Sequence, residues 1–308
     1  MKRKVLIIGV RGMLGQELVK TFEKDKEYEV IAWDREDIDI SKFDEASSKI
    51  EELKPGIILN CAAYNDVDGA ESEEGFELAK KINGEAPGNL AKIAKKIGAM
   101  LVHYSSDYVF SGEPEIPEPQ GCTHHCASCG LHEGFVPQIG FKEDDQPAPV
   151  SKYGESKLLG EENIQKNCEA FYIIRLSKLF GKPAQSEGAK KSFFETMLEY
   201  GKKGEVRKLV DEETSCFTYA PDLAKKTKEI IDSGKAFGIY HIVNSDPCTW
   251  YEAAVELYRQ ADIKTELIPV AGDEFPRPAK RPYYSVLINT KLNPMRSYKE
   301  ALKEYLKK

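Results

Sequence analysis

Short apolar runs alternate with longer amphipathic segments through the first half of the chain. Turn residues bound each run, and the segments between the runs repeat their apolar residues every three and four positions, which is the spacing of one helix face. This pattern predicts buried strands at 4–9, 29–33, 56–60, 99–105 and 170–176, and helices at 13–26, 43–53, 74–97 and 151–165. Strands and helices in alternation are typical of an α/β fold with a doubly wound parallel sheet.

After Leu176 the alternation becomes irregular. The later pattern predicts helices at 192–201, 221–232 and 249–260 and a strand at 238–243. We therefore divide the chain into a first domain, 1–176, and a smaller second lobe, 177–308, and we expect part of 218–244 to return to the first domain.

The composition excludes several classes of partner. The chain is 41% hydrophobic and 31% charged, and its net charge of −7 comes from both signs interspersed. Because neither a basic stripe nor a polybasic block is visible, we expect no nucleic acid and no membrane as a partner. No run approaches the ~20 apolar residues of a membrane span. The expectation is a soluble, cytoplasmic protein that binds a small molecule.

The first predicted strand leads directly into a glycine-rich turn, and a predicted helix follows the turn. Gly9, Gly12 and Gly15 have the spacing G-x-x-G-x-x-G. In this context the glycines permit a tight turn, a close approach of backbone N–H groups to a pyrophosphate, and close packing of the helix on the strand. The sequence therefore predicts a dinucleotide site, with candidate residues Gly9, Arg11, Gly12, Met13, Leu14 and Gly15.

The residues after the second predicted strand bear on which dinucleotide binds. Asp34 is placed to accept from an adenosine ribose hydroxyl, which favours NAD, whereas Arg35 and Arg11 can pair with a 2′-phosphate, which favours NADP. Asp39 and Ile40 either border the adenine or form a plain turn followed by a core residue. NADPH and NADH both remain open at this point.

Tyr153 and Lys157 lie four positions apart on a predicted helix, so that a phenol and an ammonium share one face. A nearby ammonium favours the phenolate, and an oxidised nicotinamide ring favours it still more. We therefore predict that the pKa of Tyr153 is lowered towards neutrality. Such a phenol is suited to general acid–base catalysis. Taken alone, the spacing also fits an ordinary surface pair.

Several spaced motifs occur in one order along the chain. They are the segment 60–71, Asn83, the segment 105–112, the segment 219–224, and Arg277 or Arg281 followed by 285–287. Together they resemble the extended short-chain dehydrogenase/reductases, and within these the dTDP-4-dehydrorhamnose reductase family. The resemblance runs from Lys4 to beyond Leu292. It implies a Rossmann domain that carries a nicotinamide cofactor and a C-terminal lobe that holds a nucleotide sugar.

The resemblance also implies roles for individual residues. Ser106 would polarise the substrate carbonyl, Tyr153 would donate the proton, and Lys157 would bind the nicotinamide ribose and tune Tyr153. Asp107 and Tyr108 would bind the sugar.

Further residues would lie near the cofactor. Ala62, Ala63 and Tyr64 would line it, or merely pack beneath it. Asn83 would be the additional Asn of the extended group, reaching Lys157 through its backbone or a bridging water, with a helix-surface Asn as the alternative.

The chain departs from the family pattern on the substrate side. Lys178 stands where the family usually has an aromatic residue, and it would face either the diphosphate or solvent. This departure leaves the identity of the sugar nucleotide open.

An insertion, 114–140, separates Ser106 from Tyr153. It contains a C-x-x-C-G motif formed by Cys126 and Cys129, which is typical of a zinc knuckle. The candidate zinc ligands are Cys122, Cys126 and Cys129 with one of His124, His125 or His132. The alternatives are an iron–sulfur cluster on the three thiolates and a metal-free loop. We expect the insertion to serve as a lid or docking element over the substrate cleft.

The predicted function is therefore reduction, by NADPH or NADH, of the 4-keto group of a nucleotide-activated deoxysugar such as dTDP-4-dehydrorhamnose. The alternatives are a non-catalytic regulatory subunit and an epimerase or dehydratase with tightly bound NAD. A homodimer remains open, because Glu17 occupies a position that bears an acid in dimeric relatives, although a lone helical Glu is commonly solvated.

Overall fold

The computed structural model describes residues 2–115, 138–186 and 189–307. Its strands are, in chain order, β1 (Arg3–Ile8), β2 (Tyr28–Trp33), β3 (Ile57–Asn60), β4 (Met100–Ser106), β5 (Phe171–Leu176), β6 (Leu179–Phe180), β7 (Arg207–Val210), β8 (Thr218–Tyr219), β9 (Gly238–His241) and β10 (Leu267–Val270). Its α-helices are α1 (Met13–Glu23), α2 (Phe43–Leu53), α3 (Glu73–Ala79), α4 (Ala86–Ile97), α5 (Lys152–Asn167), α6 (Phe193–Lys203), α7 (Ala220–Asp232), α8 (Trp250–Gln260) and α9 (Tyr298–Tyr305).

The main sheet is parallel, with the strand order β2-β1-β3-β4-β5-β9 among the described strands. The chain builds outward from β1 to β2 and then crosses to the other side of β1 to form β3. In such a sheet, ligands bind at the carboxyl ends of the strands where the order reverses. The predicted doubly wound α/β fold is thus confirmed, and its crevice lies beyond Ile8 and Asn60, which pair at the ends of β1 and β3.

Both faces of the main sheet are buried. Val5 and Ile7 contribute to a core with α1 and α7, whereas Leu6 and Ile8 contribute to a second core with α2 and α4. Burial on both sides explains why these strands consist of continuous apolar runs rather than an apolar–polar alternation.

The helix predicted at 74–97 is wrong in one respect, because a π-helical turn, Lys80–Glu85, separates α3 from α4. This turn brings the Asn83 carbonyl against Gly160 of α5, where a Cβ would lie 2.1 Å from the carbonyl oxygen. An apolar pattern with a period of 3.6 does not register one wider turn, and such turns commonly occur at functional sites.

The later part of the chain supplies both the sheet and a separate core. Strand β9 pairs with β5 in the main sheet. Helices α6, α8 and α9 enclose an aromatic core that includes Phe194, Phe217 and Tyr298.

The predicted metal ligands Cys122, His124, Cys126, Cys129 and His132 lie outside the described residues. Within the described ranges, no three His, Cys, Asp or Glu side chains are grouped as a metal site. No helix in those ranges has the length and apolar character needed to cross a bilayer.

Candidate active site

The glycine-rich turn lies at the end of β1 and folds back on the chain after β3. Gly9 has a φ of 84°, in the left-handed region, and a Cβ there would lie 3.0 Å from the Ala62 nitrogen. A Cβ on Gly15 would lie 2.2 Å from the Gly9 carbonyl oxygen. Any larger residue at position 15 would therefore force the turn and α1 apart.

The beginning of α1 fits a phosphate group. Gly12 is the N-cap and provides no side-chain cap, and the first turn contains no acidic residue. The first helical turn thus has neither a capping side chain nor an acidic residue of its own, which suits an anion. Of the other predicted loop residues, Leu14 is buried in the core, and Met13 lies near Gly181.

Asp34 organises the turn after β2. Its two carboxylate oxygens accept hydrogen bonds from the backbone N–H groups of Arg11 (2.8 Å) and Arg35 (2.9 Å). The Arg11 guanidinium forms an ion pair with Glu36. The Arg35 side chain is exposed and has no ion-pair partner within the part of the chain that the structure describes.

Asp39 and Ile40, the next predicted cofactor residues, form a turn and a core position, and their place beside the adenine stays a prediction. Asp39 accepts hydrogen bonds from the Ser41 backbone and hydroxyl, at 3.0 Å and 2.7 Å, and Ile40 is buried in the core. Asp39 therefore stabilises a turn, and Ile40 packs beneath it.

Asn83 holds the segment that follows β3. Its Oδ1 accepts from the Tyr64 N–H at 2.9 Å, and its Nδ2 donates to the Tyr64 carbonyl and to Ser156 Oγ, both at 3.0 Å. Asn83 is completely buried, so the helix-surface alternative is wrong. The Asn83 side chain ties the Ala62–Tyr64 segment to α5, and its predicted link to Lys157 through the backbone or a water stays a prediction.

Ser106 and Tyr153 meet at the carboxyl end of β4. The Ser106 hydroxyl accepts from the Tyr108 N–H at 3.1 Å and donates to Asp107 Oδ1 at 3.0 Å. Ser151 caps α5 by accepting from the Gly154 N–H at 3.2 Å, which places Tyr153 in the first helical turn. The Ser106 hydroxyl also lies close enough to the Tyr153 phenol to act on its pKa.

The pKa of Tyr153 is raised, not lowered, so this prediction is wrong. Burial is the largest cause, and the Asp107 carboxylate adds to it, while the Ser106 hydroxyl acts in the opposite direction. The physical reason is that the Lys157 ammonium donates to the Tyr104 carbonyl at 2.7 Å. Tyr153 is therefore a neutral phenol at neutral pH, which is the form that a proton donor requires.

Lys157 lies one helical turn beyond Tyr153 and is buried. Besides the Tyr104 carbonyl, its Nζ contacts His103 Nε2 at 3.4 Å. Burial lowers the pKa of Lys157 to about 8, against the opposing effect of the Glu161 charge.

Asp107 and Tyr108 adjoin this pair. The Ser285 hydroxyl donates to Asp107 Oδ2 at 2.6 Å, and burial raises the pKa of Asp107 to about 6. The Tyr108 ring stands edge-on to the Tyr153 ring, with their centroids 5.8 Å apart. The two predicted sugar-binding residues thus border the predicted proton donor.

Lys178 contacts an aromatic ring that the sequence did not indicate. Its Nζ lies 3.8 Å from the centroid of the Trp250 ring and donates to the Glu213 carbonyl at 3.3 Å. Lys178 is half-buried, and burial lowers the pKa of its side chain to about 8. Its φ of 38° is unusual for a residue with a side chain and marks local strain.

Glu213 connects further residues that the sequence did not indicate. It accepts from Trp250 Nε1 at 2.9 Å and forms an ion pair with Arg277. Arg277 belongs to a motif of the resemblance, but no local pattern identified Glu213 or Trp250 as its partners.

The expectation that Glu17 is solvated is wrong. Its side chain is buried in α1 and forms an ion pair with Lys20 at 3.5 Å.

The sequence profile of the family described as the RmlD substrate binding domain matches residues 3–308. The chain belongs to this family. The match extends over both the main sheet and the second lobe, and it confirms the predicted family.

Similar proteins agree with this assignment. A protein from Streptomyces antibioticus, described as a probable dTDP-4,6-dihydroxy-2-methyloxan-3-one 4-ketoreductase, is 32% identical over 97% of this chain and 93% of its own length. The crystal structure of a dTDP-4-dehydrorhamnose reductase from Clostridium acetobutylicum is 36% identical with a TM-score of 0.85, covering 99% of this chain and 98% of that one. A dTDP-4-dehydrorhamnose reductase from Bacillus anthracis, in complex with NADP, is 30% identical with a TM-score of 0.85 and 99% coverage of both chains.

Proposed function

We propose that this protein is a reductase that uses NADPH, or NADH, to reduce the 4-keto group of a dTDP-activated deoxysugar. The observation that carries the proposal is the proximity of Ser106 to Tyr153 at the carboxyl end of β4, with Lys157 one helical turn further along α5. The full-length similarity to dTDP-4-dehydrorhamnose reductases and a related 4-ketoreductase supports the reaction type and the substrate class.

The side chains perform the proton chemistry. A nicotinamide cofactor, when bound, supplies the hydride. Ser106 and Tyr153 present two hydroxyl groups to the oxygen of the substrate carbonyl, and a preorganised pair of this kind stabilises the developing alkoxide. Tyr153 gives up its proton to that oxygen, and its raised pKa ensures that the proton is present at neutral pH.

The second lobe, 177–308, forms the sugar side of the cleft in this proposal. Asp107 and Tyr108 hold the sugar hydroxyls next to Tyr153. Trp250 lies on α8, and its ring packs against Lys178. It therefore supplies an aromatic ring beside the position where the family has an aromatic residue and this chain has Lys178. The diphosphate alternative for Lys178 stays a prediction.

The decisive experiment is an assay of NADPH oxidation with dTDP-4-dehydrorhamnose and with other 4-keto nucleotide sugars. We expect oxidation that depends on the keto sugar, with the hydride recovered at C4 of the product. If no 4-keto nucleotide sugar is reduced with either cofactor, the proposed function is wrong.

Cofactor preference is expected to depend on Arg35. Replacing Arg35 by Ala should raise the KM for NADPH about tenfold, because a charge-assisted contact with a 2′-phosphate is lost, and should leave the KM for NADH unchanged. Lys26→Ala is the matched control, since Lys26 is an exposed cation that precedes the opposite end of β2. An equal effect of Arg35→Ala on both cofactors would contradict the assignment.

The insertion is expected to bind zinc through Cys122, Cys126 and Cys129 with one His. Elemental analysis of the purified protein should find about one zinc ion per chain, and Cys126→Ser should remove it. Cys168→Ser is the control, because Cys168 is buried in the core of the first domain. Iron with a brown absorbance spectrum would favour the cluster, and absence of any metal would favour the plain loop.

A further inference from the structure

A line of buried polar side chains leads away from Lys157. His103 on β4 contacts Lys157 Nζ through Nε2 at 3.4 Å, and its Nδ1 lies 3.1 Å from Asn60 Nδ2 at the end of β3. The three side chains are buried, with exposures of 2% or less. Polar groups in such a place are costly unless each hydrogen bond is satisfied, so their proton positions are strongly constrained.

The backbone determines the orientation of the Asn60 amide. Asn60 Oδ1 accepts from the Ala62 N–H at 3.2 Å. In the reversed orientation, the amide NH₂ would face that N–H, and two donors would oppose each other. Asn60 Nδ2 is therefore the group that faces His103.

The amide in turn determines the tautomer of His103. Burial and the Lys157 charge hold the pKa of His103 well below its usual value, so the imidazole is neutral and carries one proton. Because Asn60 Nδ2 donates to Nδ1, that proton is on Nε2, the nitrogen that faces Lys157. An N–H directed at an ammonium is repulsive, whereas the same N–H donates to the lone pair of a neutral amine.

We propose that Asn60 and His103 are positioning residues that set the proton affinity of Lys157 through the imidazole tautomer. The Ala62 N–H determines the orientation of the Asn60 amide, and the amide determines the tautomer of the His103 imidazole. The imidazole N–H then lowers the proton affinity of Lys157. The inference rests on the proposed function, because it concerns the Lys that serves the proton donor of that reaction.

Several other polar groups lie around Lys157. From α5, Glu161 raises the pKa of Lys157, but its carboxylate is engaged with Arg175 of β5 at 2.6 Å. From β4, Tyr104 provides the accepting carbonyl, and its own phenol donates to Thr227 of α7 at 3.1 Å. Burial keeps the phenol of Tyr104 and the thiol of Cys61, which adjoins it, in their neutral forms by raising their pKa values.

Tyr153 lies on the same helix and is also neutral, because its pKa is raised. Among the residues that the structure describes, Glu161 is the carboxylate that acts on the pKa of Lys157, and its ion pair with Arg175 reduces that effect. The imidazole N–H is the contact that opposes the effect of Glu161 on the pKa of Lys157.

The first test is direct and requires no turnover. Nitrogen NMR of the isotope-labelled full chain distinguishes the two imidazole tautomers, and the His103→Gln variant identifies the signals of His103 among the five histidines. We expect the wild-type protein to carry the proton on Nε2 and the Asn60→Asp variant to carry it on Nδ1, because a carboxylate accepts where the amide donated. A wild-type imidazole protonated on Nδ1 would overturn the proposal, even if the reductase activity is present.

The second test measures the consequence in the pH profile of kcat/KM for the reductase reaction. In the Asn60→Asp variant the carboxylate still accepts from the Ala62 N–H, but it reverses the tautomer and so gives the ammonium an acceptor. The substitution should therefore move the alkaline limb upward by about one pH unit. At about pH 9 the variant should therefore keep a roughly fivefold larger fraction of its maximal kcat/KM than the wild type keeps of its own.

The double variant distinguishes a direct effect of the new charge on Lys157 from an effect that the imidazole transmits. Asn60→Asp in the His103→Gln background should lose most of the shift, because no imidazole transmits it. An equal shift with and without the imidazole would show that the charge acts directly, which would refute the role of His103. Circular dichroism and thermal unfolding establish that each variant is folded, and the wild-type tautomer decides the question if a variant is not.

Discussion

Replacing Tyr153 by phenylalanine is expected to lower kcat for keto-sugar reduction by about 10³-fold, within the range that general acid catalysis provides. The substitution removes the phenolic proton and preserves the ring, which continues to pack edge-on against Tyr108. Binding of NADPH should change little, because the substitution leaves the glycine-rich turn and Asn83 unaffected. Steady-state kinetics with dTDP-4-dehydrorhamnose and cofactor titration by fluorescence measure the two effects separately.

Tyr240→Phe is the matched control for this prediction. Tyr240 is a buried tyrosine on β9 whose hydroxyl donates to the Ala236 carbonyl at 2.6 Å, away from the crevice. Its loss should cost about 1 kcal/mol of stability and leave kcat unchanged. Retention of more than a tenth of the activity by Tyr153→Phe would show that another group donates the proton.

The main elements of the first domain could be predicted because their signals are local. A strand buried on both faces is a continuous apolar run, and helix α2 has the bounds 43–53 that its apolar period indicated. The spacing of Tyr153 and Lys157 placed both side chains on α5 for the same reason.

The partners of these residues could not be predicted because they come from distant parts of the chain. Asn83 binds the backbone of Tyr64 and the hydroxyl of Ser156, which lie on different elements. Lys178 contacts Trp250, which follows the N-cap of α8. A helical period identifies the face on which a residue lies, but not the side chain that another element brings to it.

The direction of the Tyr153 pKa shift shows the same limit in energetic terms. The sequence places a cation one turn away, which favours the phenolate. In the folded chain the cation is directed at a backbone carbonyl, and burial, which no spacing reports, becomes the larger influence.

Replacing Glu161 by glutamine is expected to lower the free energy of unfolding by about 3 kcal/mol, because it leaves the Arg175 guanidinium buried without a countercharge. The pair joins α5 to β5 at 2.6 Å, and the two side chains are 0% and 2% exposed. Arg175 also donates to the Glu143 carbonyl at 3.3 Å and lies over the Phe110 ring, but neither contact neutralises the charge.

Urea unfolding, with comparison of midpoints at an unchanged m-value, measures this loss. Glu162→Gln is the control, since Glu162 is the exposed neighbour on the same helix and its replacement should change stability by less than about 0.5 kcal/mol. Adding Arg175→Met to Glu161→Gln should restore most of the stability, because the unpaired charge is removed and the volume is kept. If the double variant is less stable than Glu161→Gln alone, the guanidinium contributes mainly through its other contacts, and the ion pair is not the source of the effect.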